Sequence, residues 1–92
     1  MQSKAFFFDP KNAQKLSGTL FLTKECLTFA FDDFEQSHLE WVLQLVDIQK
    51  VIIYKIYNIA NVGIHIFSKN DKQDIFILEN PELWIFQLTD NN

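Results

Sequence analysis

Ninety-two residues make one domain and leave no room for a second core, since chains this short bury only about two-thirds of their extended surface. The composition is 48% apolar with ten phenylalanines, which argues against intrinsic disorder. Eight lysines, no arginine and twelve carboxylates give a formal charge of −4. Clustered positive charge and guanine-reading arginine are both missing, so nucleic acid is not an expected partner.

The dominant signal is period-two alternation in short runs, the mark of half-buried strands. A first strand is expected over residues 4–8, stopped by Asp9-Pro10, where proline fixes φ and removes a donor. Residues 16–23 alternate next, with Leu20 and Leu22 on one face and Thr19, Phe21 and Thr23 on the other. Lys24-Glu25 reads as a tight turn into residues 26–31, where Leu27, Phe29 and Phe31 share a face. After an acidic connection containing Phe34, a fourth strand over 39–46 carries Trp41, Leu43 and Leu45. The run 51–57 is almost continuously apolar, as in a strand covered on both faces or set against a partner. Strands over 63–67 and 74–78 form a second hairpin around a polar turn. Asn80-Pro81-Glu82 then starts a helix over 81–89: asparagine suits the N-cap, proline the first helical position and the acid the helix dipole. Trp84 and Leu88 are spaced i, i+4 on the face that packs, flanked by Leu83 and Phe86. The expected fold is therefore mainly β, seven antiparallel strands bent into a barrel with one capping helix.

Motifs add a family likeness to this count. Gly18-Thr19-Leu20-Phe21-Leu22-Thr23 with Leu27-Thr28-Phe29 resembles the G-x-L-x-L-T-x-x-x-L-x-F signature of GRAM domains, within the pleckstrin-homology-like superfamily. Leu45-Val46-Asp47-Ile48 and Val51 resemble the family's L-x-[DE]-I-x-x-V strand end. Asn61 and Gly63-Ile64-His65-Ile66 resemble its N-G-[LI]-x-I step with Val62 as an extra residue, and Trp84 resembles the tryptophan of its closing helix. Where the family often carries a basic residue before the L-x-F of its third strand, this chain has Cys26. The resemblance spans about residues 5–88 and is closest to the small GRAM domains of bacteria. It implies a pleckstrin-like barrel that binds proteins, phosphoinositides or membrane surfaces, without catalysis and without a cofactor. Gly18, Leu20, Leu22, Phe29, Trp41, Trp84 and Leu88 are then structural residues.

The residues give little to enzymatic chemistry. Cys26 has no histidine within local reach, and a nucleophilic thiol needs a base or an electropositive setting. As the single cysteine it forms no internal disulfide, which fits a reducing, cytoplasmic compartment. The first ten residues hold too short an apolar run for a signal-peptide core or a membrane span. His38 and His65 lie on different elements without ligand spacing, so no metal site is expected. Asp32-Asp33 and Asp71/Asp74 read as solvated turn residues.

Two binding readings follow. If Leu20 and Leu22 point inward, Phe21 points out and needs the helix end, a partner or a second copy to cover it. Phe21, Ile53, Tyr54 and Tyr57 are thus the candidate contacts for an unknown protein or a homodimer. The alternative is weak binding of phosphoinositide or another anionic lipid by Lys11, Lys15 and Lys24, the first two in the loop where lipid-binding relatives keep basic residues, which would make the chain peripheral to a membrane. Each lysine contributes about 1 kcal/mol near an anionic surface, so Lys11 and Lys15 supply about 2, whereas a 1 mM affinity needs about 4.1. Protein binding ranks first.

Overall fold

The computed structural model describes residues 1–32, 40–56 and 60–89, so the expectations for Phe34, His38 and Tyr57 lie outside the described residues. The chain runs β1 (Gln2–Asp9), β2 (Gln14–Leu22), β3 (Cys26–Phe31), β4 (Glu40–Gln44), a 3-10 turn (Leu45–Asp47), β5 (Ile48–Ile56), β6 (Ala60–Ser68), β7 (Lys72–Leu78) and α1 (Pro81–Thr89). All seven strands form one antiparallel sheet in the order β4-β3-β2-β1-β7-β6-β5. The first and last strands therefore meet in its middle.

The expected barrel is not closed. β4 and β5 are the two edges of a bent sheet, with no ladder between them. The reason is the 3-10 turn, which redirects the chain directly from one edge to the other. Its corner is held by single bonds: Leu45 N–H donates to the Glu25 carbonyl at 2.9 Å, and Lys69 N–H to the Asp47 carbonyl at 3.0 Å. The Lys69–Asp47 ion pair, at 3.3 Å, reinforces it.

Several bounds also move. The fourth strand stops at Gln44, leaving Val46 in the turn and 90% exposed. The second ends at Leu22, because the Thr23 hydroxyl accepts from Cys26 N–H at 3.2 Å and makes Thr23 part of the turn. β5 starts at Ile48, opposite Ser68, earlier than the apolar run at Val51 suggests. β1, β2, β6 and β7 likewise extend beyond their apolar cores into polar residues, since backbone pairing continues where side-chain alternation has faded.

The concave side carries the core: Ala5, Leu20, Leu27, Phe29, Leu43, Val51, Ile64, Ile66, Phe76 and Leu78. An aromatic cluster lies at its centre. Phe7 meets Phe76 edge-on at 5.3 Å, and Phe76 lies 5.0 Å from Trp41 and 5.3 Å from Phe29. Gly18 faces the Phe29 ring so closely that a Cβ there would collide with that ring and with the Ala30 carbonyl, the physical reason for glycine at this step. Gly63 is held likewise against the Phe76 carbonyl.

α1 packs chiefly on β5 and β6 and closes the core with Trp84 and Leu88, 1% and 5% exposed. Its start falls at Pro81 as expected, with the Asn80 carbonyl accepting from Leu83 and Trp84 N–H. Glu82, in the first turn, accepts from Asn61 Nδ2 at 2.8 Å, which holds its carboxyl below the usual range. Leu83 and Phe86 do not flank the buried face; they point away from it.

Trp84→Ala should destabilise the fold by about 3 to 5 kcal/mol, because a buried ring leaves a cavity that a small sheet cannot collapse into. Urea denaturation measures this, and a loss below about 1 kcal/mol would mean that the helix does not close the core.

Candidate functional site

The site grows from the seam between β1 and β7. Only four residue pairs form there, from Ala5↔Leu78 to Phe8↔Ile75. Extending the ladder by one step would set Asp9 opposite Asp74, and like charges directly across a sheet repel. The strands separate at that step instead. A cleft of about 470 Å³ opens between the end of β1 with the following Pro10 and Lys11, and the start of β7. Its apolar wall is Phe7, Phe8 and Ile75, and its polar lining includes Asp9, Lys11, His65, Asp71, Gln73 and Asp74.

Asp74 is the unusual member. Strand alternation places it on the same inward face as Phe76 and Leu78, and it is 7% exposed. Its Oδ2 has no hydrogen-bond partner. The Trp41 indole N–H, likewise buried without a well-formed bond, is the neighbouring donor that favours the charged carboxylate. Burial pushes the Asp74 carboxyl above its usual range, against the opposing pull of Lys72, Trp41 and His65. Lys72 directs its ammonium over the Trp41 ring, 5.8 Å from the centroid. Reading Asp74 as a solvated turn residue is thus corrected. The inward period of Asp74, Phe76 and Leu78 was the signal that could have found it.

At the other end of the seam a wider cleft of about 870 Å³ lies between β1, β6 and the start of α1, walled by Phe6, Val62, Ile77 and Pro81. Lys4, on its rim, pairs with Asp32 at 3.2 Å. The Ser17 hydroxyl donates to the same carboxylate at 2.8 Å and, with Lys4, holds it below its usual range.

On the outer face of the sheet a row of rings crosses from β1 to β5 and β6. Phe8 lies 5.8 Å from Tyr54, Tyr54 lies 6.3 Å from His65, and His65 stacks on Phe67 at 4.2 Å. Lys50 places its ammonium 5.1 Å from the Phe67 centroid. His65 Nε2 is hydrogen-bonded to Gln73 Oε1 at 3.0 Å.

The candidate protein contacts do not form one surface. Tyr54 is occupied by Phe8 and His65, and Ile53 pairs with Ile64 on the concave side. Phe21 stands half-buried on the outer face of β2, separated from β5 by β1, β7 and β6. The β5 run is an edge strand, not one covered on both faces, and Ile52 is 39% exposed. The candidate lysines divide as well. Lys11 and Lys15 sit at one end of β2, whereas Lys24 lies in the turn beyond its other end, roughly 25 Å away at about 3.3 Å per residue. Cys26 is half-buried with the Thr23 and Thr28 hydroxyls as neighbours, at 3.5 and 3.7 Å. Among the described residues no three His, Cys, Asp or Glu side chains are grouped to hold a metal ion, and no helix is long and apolar enough to cross a membrane.

No protein-family model matches the chain, and no curated protein matches it. Among solved structures it is similar to the C-terminal domain of an unknown protein from Leishmania infantum, with a TM-score of 0.80 and 12% identity over 99% of this chain and 80% of that one. At that identity the likeness concerns the fold alone.

Asp74→Asn should raise the thermal midpoint at neutral pH by several degrees, because it removes a buried, unpartnered charge while keeping the shape. The folded carboxyl titrates above the unfolded value, near 3.8. Wild-type stability therefore recovers as pH falls through the raised folded pKa, and the variant's advantage should vanish below about pH 4. Paired thermal melts across pH check this. An advantage that grows on acidification would contradict the assignment.

Proposed function

We propose that the chain is a non-catalytic binding module of the pleckstrin-homology/GRAM type that associates with protein, in the first instance with a second copy of itself. One observation carries this reading. α1 is apolar on both sides: Trp84 and Leu88 close the core, yet Leu83 and Phe86 stand 48% and 57% exposed on the outward side. A short helix that exposes apolar residues opposite its buried face has a second surface to cover. Beside it runs β5, an edge strand with Ile52 exposed, and such an edge can accept an added strand. Closed two-fold pairing is the commonest way for one chain to cover such a patch. The order and spacing of the sequence motifs support the family likeness.

Anionic-lipid binding is the weaker reading. Lys11 shares its cleft with Asp9, Asp71 and Asp74, and Lys24 is too distant to act with Lys15. The lysines left on one side supply about half of what even a 1 mM affinity requires.

Sedimentation at tens of micromolar should show a dimer, and Phe86→Asp should return it to a folded monomer whose thermal midpoint no longer depends on protein concentration. A wild-type monomer at that concentration would remove the self-association reading. Pelleting with phosphoinositide vesicles should be weak and lost at physiological salt, where screening acts beyond about 8 Å. Micromolar pelleting that Lys11→Ala with Lys15→Ala abolished would put lipid first.

A further inference from the structure

The wider cleft owes its shape to the end of β7. The ladder of β1 with β7 reaches only to Ala5↔Leu78 and that of β6 only to Gly63↔Ile77, yet β1 begins at Gln2 and β6 at Ala60. Both neighbours therefore run on past the point where the chain leaves the sheet for α1. The gap is one strand wide, so its walls stand about 10 Å apart, twice the spacing of paired strands. Phe6, Val62, Ile77 and Pro81 line it, and Phe6 is 42% exposed. A slot of about 870 Å³ with this lining admits an aromatic side chain.

A side chain of that kind projects from the same molecule beside the slot. Glu82 accepts from Asn61, a residue of the slot, and this bond fixes which side of α1 faces it. Phe86 follows Glu82 by one helical turn and stands on that side, exposed, with Leu83 as its i, i+3 neighbour. A recess and a protruding ring side by side are what a two-fold contact uses, because there residue i meets j and j meets i. The charged rim repeats the pattern, with one cation, Lys4, and one carboxylate, Glu79. Lys4 pairs with Asp32 at 3.2 Å, and an ammonium has further donors for a second carboxylate. Such a lining meets a rotated copy of itself with opposite charges facing, whereas the molecule as a whole, at −4, repels its copies. Laying α1 on α1 offers no such pairing, since the helix carries Glu82 and no base.

We infer that the cleft between β1 and β6 is the receptor for the Phe86 ring of a second copy, so that two chains exchange rings about a two-fold axis with Lys4 of each facing Glu79 of the other. The inference rests on the self-association proposed above and assigns the surface that receives the helix.

The test is reciprocal substitution, read by sedimentation of the full chain at tens of micromolar. Phe86→Asp removes the ring and Val62→Lys sets a cation in the slot, so each variant alone should associate at least about tenfold more weakly than wild type. An equimolar mixture keeps one unaltered contact, and in the other the new carboxylate meets the new ammonium. The mixture should therefore recover association to within about a few-fold of wild type. Undiminished association of Val62→Lys, or a mixture no stronger than its components, overturns the inference and leaves self-association standing. A second measurement needs no substitution. In a mixture of isotope-labelled and unlabelled wild type, isotope-filtered NOE spectra should connect the Phe86 ring of one copy with the Val62 and Ile77 methyl groups of the other. Contacts from Phe86 to the helix of the other copy in their place overturn the inference as well. A wild-type monomer at this concentration overturns both the self-association and its receptor.

Discussion

The whole sheet depends on the four-pair seam between β1 and β7. It joins β4-β3-β2-β1 to β7-β6-β5, and without it two separate half-sheets remain, neither with a closed core. Its strength lies in side chains rather than ladder length. Phe7 and Phe76 meet edge-on across it, and Phe29 and Trp41 reach Phe76 across the concave face from β3 and β4. These contacts join the start of the chain to its end, so the seam is non-local and its loop entropy must be met before it contributes.

The same seam explains the clefts. A ladder of four pairs between longer strands must open at both ends, and what the sequence places there determines each opening. At one end Phe6, Val62, Ile77 and Pro81 make an apolar groove under the start of the helix. At the other, Asp9 and Asp74 part the strands and leave a carboxylate on the inward face. Burial raises the Asp74 carboxyl there, and Lys72, the Trp41 indole and His65 oppose that rise.

The outward surfaces divide in a similar way. Tyr54, His65 and Phe67 cover one another in a row of rings, so their aromatic character is largely satisfied within the chain. Leu83 and Phe86 have no such cover. The distinction matters because a high aromatic content alone says nothing about binding; what counts is which rings the fold leaves without neighbours.

Local pattern by itself determined the strand count, the hairpin around Lys24-Glu25, the helix beginning at Pro81, and the burial of Leu20, Phe29, Trp84 and Leu88. Each depends on alternation, turn chemistry or helical spacing within a few residues, which a linear sequence displays directly. Only the tertiary structure decided that β4 and β5 stay apart, because the 3-10 turn at Leu45–Asp47 is set by bonds to Glu25 and Lys69 from distant segments. It alone decided that Phe21 is separated by three strands from Ile53 and Tyr54 and that Lys24 lies far from Lys11 and Lys15. It alone brought Asp9 beside the step where Asp74 would pair, since that neighbourhood follows from how the first and last strands register, and strand partners far apart in sequence leave no local trace of one another.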